Sequence, residues 1–201
     1  NQDNSNLIII EKKNEVYITV DCESDVQREI SEFFTFYVPG YKFMPAFRNR
    51  MWDGKIRLFS QKTKEIYFGL YPYIKAFAEE RGYNIVAGKD VEIDNKVDKE
   101  TVTKFSNSLG QKFEARDYQI DAIYHSLKRN RALLVSPTAS GKSFIIYSLI
   151  RYYTHLIKEQ QNNRILLIVP TTSLVEQMYT DFESYGWNVK KYCHRLYSGY
   201  S

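Results

Sequence analysis

An apolar tetrad, Ala132-Leu133-Leu134-Val135, runs directly into Ser136-Pro137-Thr138-Ala139-Ser140-Gly141-Lys142-Ser143 and then into a helix-period stretch from Phe144 to Tyr153. That order predicts strand, tight loop and helix. A loop at a helix N-terminus meets a polyanion with free backbone N–H groups and the positive end of the helix dipole. Each position then has a distinct role. Gly141 lets the backbone approach phosphates, Lys142 sets its ammonium against the β- and γ-phosphates, and the Ser143 hydroxyl ligates Mg²⁺. A nucleoside triphosphate with Mg²⁺ is the ligand this pattern asks for, ATP once an adenine-reading residue is added, and Lys142 is its catalytic residue. The strict pattern opens on Gly, whereas this chain has Ser136. A Gly-Lys-Ser turn opening an ordinary helix is the plainer reading, and the flanking strand and helix weigh against it.

Charge is unevenly placed. The first 97 residues hold 14 Lys and Arg against 15 Asp and Glu, and the remainder 14 against 9, so the net +4 belongs to the half with the phosphate loop. A basic balance there is compatible with a polyanionic partner. No apolar run reaches the roughly 18 residues of a membrane span, and no signal-peptide pattern opens the chain, which favours the cytoplasm and no membrane partner. Cys22 and Cys193 lie far apart without metal-ligand spacing, and reduced thiols are expected.

Along the chain, Leu7–Glu11 and Glu15–Val20 read as hairpin strands around Lys12-Lys13-Asn14. Ser24 reads as an N-cap for a helix with Val26, Ile30, Phe33 and Phe34 on one face. Pro39 to Gly54 is turn-rich and aromatic. Lys55–Ser60 and Glu65–Phe68 alternate like short strands, and Leu70, Ile74, Phe77 and Ala78 mark a helix ended by Arg81-Gly82. Asn84–Ala87 reads as a last strand before a charged linker over 88–97. A short helix over Asp98–Leu109 follows. The rest alternates helix and strand: Asp117–Lys128, Arg131–Val135, Lys142–Leu156, Arg164–Val169, Leu174–Ser184 and Val189–Tyr192. Such alternation implies a parallel sheet flanked by helices.

Gln119, in Arg116-Asp117-Tyr118-Gln119, opens the helix before the first of these strands. A carboxamide both donates to and accepts from an adenine edge, and Phe113 is placed to cover the base. A solvated helix residue is the bland alternative. Arg164–Val169 ends in Pro170-Thr171-Thr172-Ser173-Leu174-Val175-Glu176-Gln177. Ligands of open α/β sheets collect at the carboxyl ends of strands, and hydroxyls at a helix start grip a phosphate without reading sequence. Thr171, Thr172 and Gln177 are the candidates; a plain Thr/Ser cap over a Val175, Met178 and Phe182 core is compatible with the same residues.

These pieces resemble the first motor domain of superfamily 2 helicases and translocases. Arg116-x-x-Gln119 looks like the adenine-reading motif, Ser136–Ser143 like motif I and Pro170–Gln177 like motif Ia, in that order; a small residue at Ser136 suits the family. Upstream, Pro39-Gly40-Tyr41-Lys42-Phe43-Met44-Pro45-Ala46-Phe47-Arg48 and Trp52-Asp53-Gly54-Lys55-Ile56-Arg57-Leu58-Phe59 are similar to the amino-terminal domain of the phage recombination and branch-migration helicases of that superfamily. The resemblance implies a RecA-like P-loop fold, a parallel sheet with helices on both faces, present in part over 98–201. A small α+β nucleic-acid-binding domain over 1–97 precedes it. It implies DNA as partner, a forked or branched duplex with RNA–DNA hybrids included.

Within 42–64, Lys42, Arg48, Arg50, Lys55, Arg57, Lys62 and Lys64 face a single acid, Asp53, with Tyr41, Phe43, Phe47, Trp52 and Phe59 interleaved. Lys42, Arg48, Arg50, Lys55 and Arg57 are the candidates for phosphate contact. The aromatics read either as core or as stacking faces, and Trp52-Asp53-Gly54 also reads as a turn with a buried indole. A motor further needs an acidic strand-end motif and arginines from a second motor domain. Asp181-Phe182-Glu183-Ser184 follows no apolar strand and is no candidate. The expectation is therefore the amino-terminal portion of a larger helicase, inactive alone, with the remaining motor domain in the same full-length chain. A non-motor nucleic-acid-binding module with a remnant phosphate loop is the competing reading. A phosphate-loop kinase would leave both 170–177 and the amino-terminal unit unexplained.

Overall fold

Apolar side chains at every second residue of Leu7–Lys12 (β1) and Tyr17–Asp21 (β2) turn Ile8, Ile10, Ile18 and Val20 to one face, where all four are fully buried. The computed structural model describes residues 6–92, 95–129, 131–137, 141–157 and 164–199. It divides into two compact units, Asn1–Ile93 and Asp94–Ser201.

In the first unit β1 and β2 form the expected hairpin, with Ile10 opposite Val20. Glu65–Tyr67 (β5) adds antiparallel to β2, and Asn84–Ala87 (β6) pairs parallel to β1, giving the order β5-β2-β1-β6. The helices Ser24–Phe33 (α1) and Tyr71–Arg81 (α3) bring Val26, Ile30, Ile74 and Phe77 to the buried isoleucines. Burying each such side chain stabilises by roughly 1.5–3 kcal/mol, so this sheet face carries the unit. Gly82 ends α3 in the left-handed conformation, as the Arg81-Gly82 signal implies. Ser24 is the first helical residue rather than the cap; Glu23 holds that position and makes no side-chain cap bond.

Two further short strands, Thr35–Tyr37 (β3) and Lys55–Arg57 (β4), pair antiparallel with Tyr37 opposite Lys55. The segment between them folds into a 3₁₀ turn, Tyr41–Phe43, and one turn of helix, Pro45–Arg48 (α2). The strand expected over Lys55–Ser60 thus stops at Arg57, and Phe59 enters the core.

The second unit is built from helices Lys99–Asn107 (α4), Asp117–Arg129 (α5), Lys142–Ile157 (α6), Thr172–Ser184 (α7) and Val189–Tyr192 (α8). Asp98 caps α4 by accepting from Thr101 N at 2.8 Å. Ile120, Ile123 and Leu127 of α5 pack with Val102 and Ile145, and a second cluster joins Leu109, Phe144, Tyr147, Phe182 and Val189. The strands expected over Arg131–Val135 and Arg164–Val169 do not form: residues 131–137 and 164–169 are neither helical nor part of any ladder among the described residues. The strand expected at Val189–Tyr192 is instead a helical turn, capped by the Asn188 side chain on Lys191 N at 3.3 Å. Val189 and Tyr192, with Lys190 and Lys191 between them, stand at helical rather than strand spacing, and the Asn188 cap starts the turn.

Candidate functional site

The helical period of α5 places Gln119 beside Ile120 and Ile123, and it is buried rather than solvated. A buried carboxamide needs partners: Gln119 Oε1 accepts from Arg116 N at 3.0 Å, and Nε2 donates to Gly141 O at 3.3 Å. The adenine-motif candidate and the phosphate loop therefore meet directly. Gly141 sits at φ +73°, and a Cβ there would lie 2.3 Å from Gln119 Nε2, so the closeness of approach requires glycine.

Beyond Gly141 the loop becomes α6. Gly141 O accepts from Phe144 N at 3.1 Å, and a helix N-terminus generally leaves its first backbone N–H groups free for an anion. Lys142 is exposed and curls back, its Nζ donating to Pro137 O at 2.8 Å and Ser136 O at 3.3 Å. Ser143 Oγ shares a 2.9 Å hydrogen bond with the Tyr185 hydroxyl. Phe113 is half-exposed, with its ring 5.0 Å from Phe144 and 5.8 Å from Tyr185. Arg116 donates to the Tyr118 hydroxyl at 3.1 Å. Thr138, Ala139 and Ser140 lie outside the described residues. The donor set fits a triphosphate. A lysine bound to neutral carbonyls, a hydroxyl and a helix N-terminus converge on one loop, and no carboxylate is among these contacts.

Tyr185 is the site residue that motif spacing misses. It lies 42 residues after Ser143, and only the packing of α7 against α6 brings it there.

Thr171 is the N-cap of α7, its Oγ1 accepting from Leu174 N at 3.3 Å. Thr171, Thr172 and Gln177 are exposed, while Phe182 is core. Glu176, the one acid in this segment, is engaged by Arg195 and by the Tyr197 hydroxyl.

In the first unit, Lys55 Nζ lies 4.9 Å from the Tyr37 ring centroid, Tyr37 stacks on Tyr41 at 4.7 Å, and Tyr41 meets Phe47 edge-on at 4.8 Å. Gly54, at φ +79°, passes under Tyr41 where a Cβ would come within 2.3 Å of the ring. Trp52 is half-buried, and its indole N–H donates to Lys55 O at 2.9 Å. Arg57 pairs with Asp53, which holds that carboxyl below the usual carboxylate range, with a further bond from Lys55 N. Lys42, Arg48 and Arg50 are exposed and have no ion pair among the described residues. Phe43 is 85% exposed and Met51 76%, whereas Phe59 is core, so the segment's aromatics divide between core and surface.

Residues 8–88 match the family model for the DNA helicase UvsW, N-terminal, and residues 112–200 match that for the type III restriction enzyme, res subunit. The chain resembles the amino-terminal portion of UvsW. The ATP-dependent DNA helicase uvsW of Enterobacteria phage T4 is 37% identical over 174 residues, which is 84% of this chain and 34% of the relative. The crystal structure of the UvsW helicase from bacteriophage T4 superposes with a TM-score of 0.77 at 33% identity, covering 89% of this chain and 64% of that one. A second T4 UvsW structure gives the same TM-score at 34% identity and is covered to 36%. The chain thus spans about a third of the length of the curated relative it matches. The UvsW-type amino-terminal match contains the whole basic and aromatic module, and the res-subunit match contains Phe113, Gln119, the phosphate loop and Tyr185. The α/β fold class, a partial RecA-like unit after a small α+β domain, is that of the solved T4 UvsW structures.

Proposed function

We propose that this chain forms the amino-terminal part of an ATP-dependent DNA helicase or translocase that works on branched or forked DNA, RNA–DNA hybrids included, in the cytoplasm of the host cell. The observation that carries the reading is the contact of the Gln119 carboxamide with Gly141 beside Lys142 and Ser143. An adenine-reading residue and a phosphate-holding turn are useful to each other only if one nucleotide spans both.

ATP, when bound, supplies the phosphoryl group whose hydrolysis drives movement along DNA. Gln119 would read the base edge, with Phe113 against its face. Lys142 would leave the Ser136 and Pro137 carbonyls for the outer phosphates and stabilise charge developing there. Ser143 is the Mg²⁺ ligand of this set, and Tyr185 holds its hydroxyl in place. Thr171, Thr172 and Gln177 would take phosphates of the DNA backbone, as would Lys42, Arg48, Arg50, Lys55 and Arg57.

Equilibrium binding of labelled ATP with and without Mg²⁺ tests this. The reading expects metal-dependent affinity that Lys142→Ala abolishes. Affinity indifferent to metal and to Lys142 would instead identify a nucleic-acid-binding module with a remnant loop. In the full-length protein, Lys142→Ala is expected to abolish hydrolysis.

A further inference from the structure

The segment between β3 and β4 borders a shallow, open hollow of about 610 Å³. Lys42, Arg48 and Arg50 line it together with Phe47, Met51 and Trp52. A volume of this size exceeds what a single flat heterocycle needs, and an open mouth suits a base entering from a strand. We propose that this pocket receives an unpaired base of single-stranded DNA, with Lys42, Arg48 and Arg50 holding the flanking phosphates. The proposal rests on the DNA reading above and narrows it to the unpaired arm of a branch.

Three observations carry it. First, the charge is one-sided: the only acid in the lining, Asp53, is neutralised by Arg57 and by Lys55 N, while the three lining cations have no carboxylate among the described residues. A polyanion is the complementary partner. Second, the apolar lining is open. Met51 is 76% exposed, and the Trp52 indole N–H is already satisfied by Lys55 O, so the ring offers its faces rather than a donor. Base-on-aromatic contact is sequence-tolerant because every base has a π-face, and a thioether packs readily on such a ring. A base inside a duplex is stacked on both sides and cannot enter.

Third, the backbone holds a cation where glycine is the easy choice. Arg50 follows the end of α2 at φ +58°, the left-handed position usually given to Gly. Met51 N and Trp52 N both donate to Ala46 O, at 2.9 and 3.2 Å, which fixes Arg50 on the pocket rim against that strain. The stack from Lys55 through Tyr37 and Tyr41 to Phe47 forms the rigid wall behind it.

Fluorescence anisotropy with the 201-residue chain separates the possibilities. Three labelled probes of equal length are compared: oligo-dT, an oligomer of abasic sites and a blunt duplex. The proposal expects oligo-dT to bind about fivefold or more tighter than the abasic oligomer. Met51→Ala, an exposed substitution, should erase that difference while leaving abasic affinity unchanged, whereas Arg50→Gly should weaken both probes and lower the salt slope by about 1. Equal binding of oligo-dT and the abasic oligomer would overturn the base pocket while the DNA reading stands. A preference for oligo-dT that survives Met51→Ala would place the base contact elsewhere and overturn it too. No binding of any probe would overturn the DNA reading itself.

Discussion

Gly141 is the residue on which the proposed nucleotide site turns. An alanine there would combine a left-handed backbone with a Cβ 2.3 Å from the Gln119 amide, so Gly141→Ala is expected to cost about 1–2 kcal/mol and most of the ATP affinity. Denaturant melts and labelled-ATP titration read the two effects separately. In the Gln119→Ala background the clash is gone and only the backbone strain remains, so the stability losses of the two substitutions should not add. Cys22 allows a prediction about pH. Burial, then the neighbouring Asp21, push its thiol up to about 11. The folded state therefore keeps a proton that the unfolded chain releases near pH 8.5. Stability from this group is fully present below that pH and is lost as pH rises through about 11. Cys22→Ala should remove this part of the alkaline decline. Iodoacetamide should alkylate the native thiol far more slowly at pH 7.5 than the unfolded one.

At the scale of elements, the module between β3 and β4 is held by aromatic packing rather than by a long ladder. Gly54→Ala would drive a methyl into Tyr41 and force the Tyr37–Tyr41–Phe47 stack apart. The expected cost is roughly 1–3 kcal/mol, with oligonucleotide affinity falling in parallel. Thermal melts and anisotropy measure both. The same scale separates what is legible in sequence from what is not. The hairpin β1–β2, helices α1, α3, α5, α6 and α7 and strand β6 follow from periodicity and punctuation, which are local. Phe59 and Phe43 cannot be sorted that way, because one becomes core and the other surface according to where β4 ends. At Val189 the helix–strand alternation of the chain suggests a strand, whereas the i,i+3 spacing of Val189 and Tyr192 and the Asn188 cap mark a helical turn. In the site, Gln119 and Gly141 are legible through motif spacing. Tyr185 is not, since nothing local marks a tyrosine that reaches a serine across two helices.

For the molecule as a whole, the division into two units separates two kinds of chemistry: unbalanced cations among aromatics in one, a helix N-terminus with a lysine in the other. No helix among the described residues is long and apolar enough to cross a membrane. One feature of the second unit governs how the protein behaves in a tube. Ile165-Leu166-Leu167-Ile168-Val169 is a continuous β-branched and leucine-rich run outside every described ladder, with Leu166 75% and Ile168 80% exposed. Such an exposed apolar run is a template for like segments, with no charge between Arg164 and Glu176 to repel a neighbour. Concentrated solutions should therefore scatter light increasingly with time, and Ile168→Lys should suppress that growth without altering the circular dichroism of the dilute protein. The colloidal lifetime of the chain would then depend on residues outside both proposed binding surfaces.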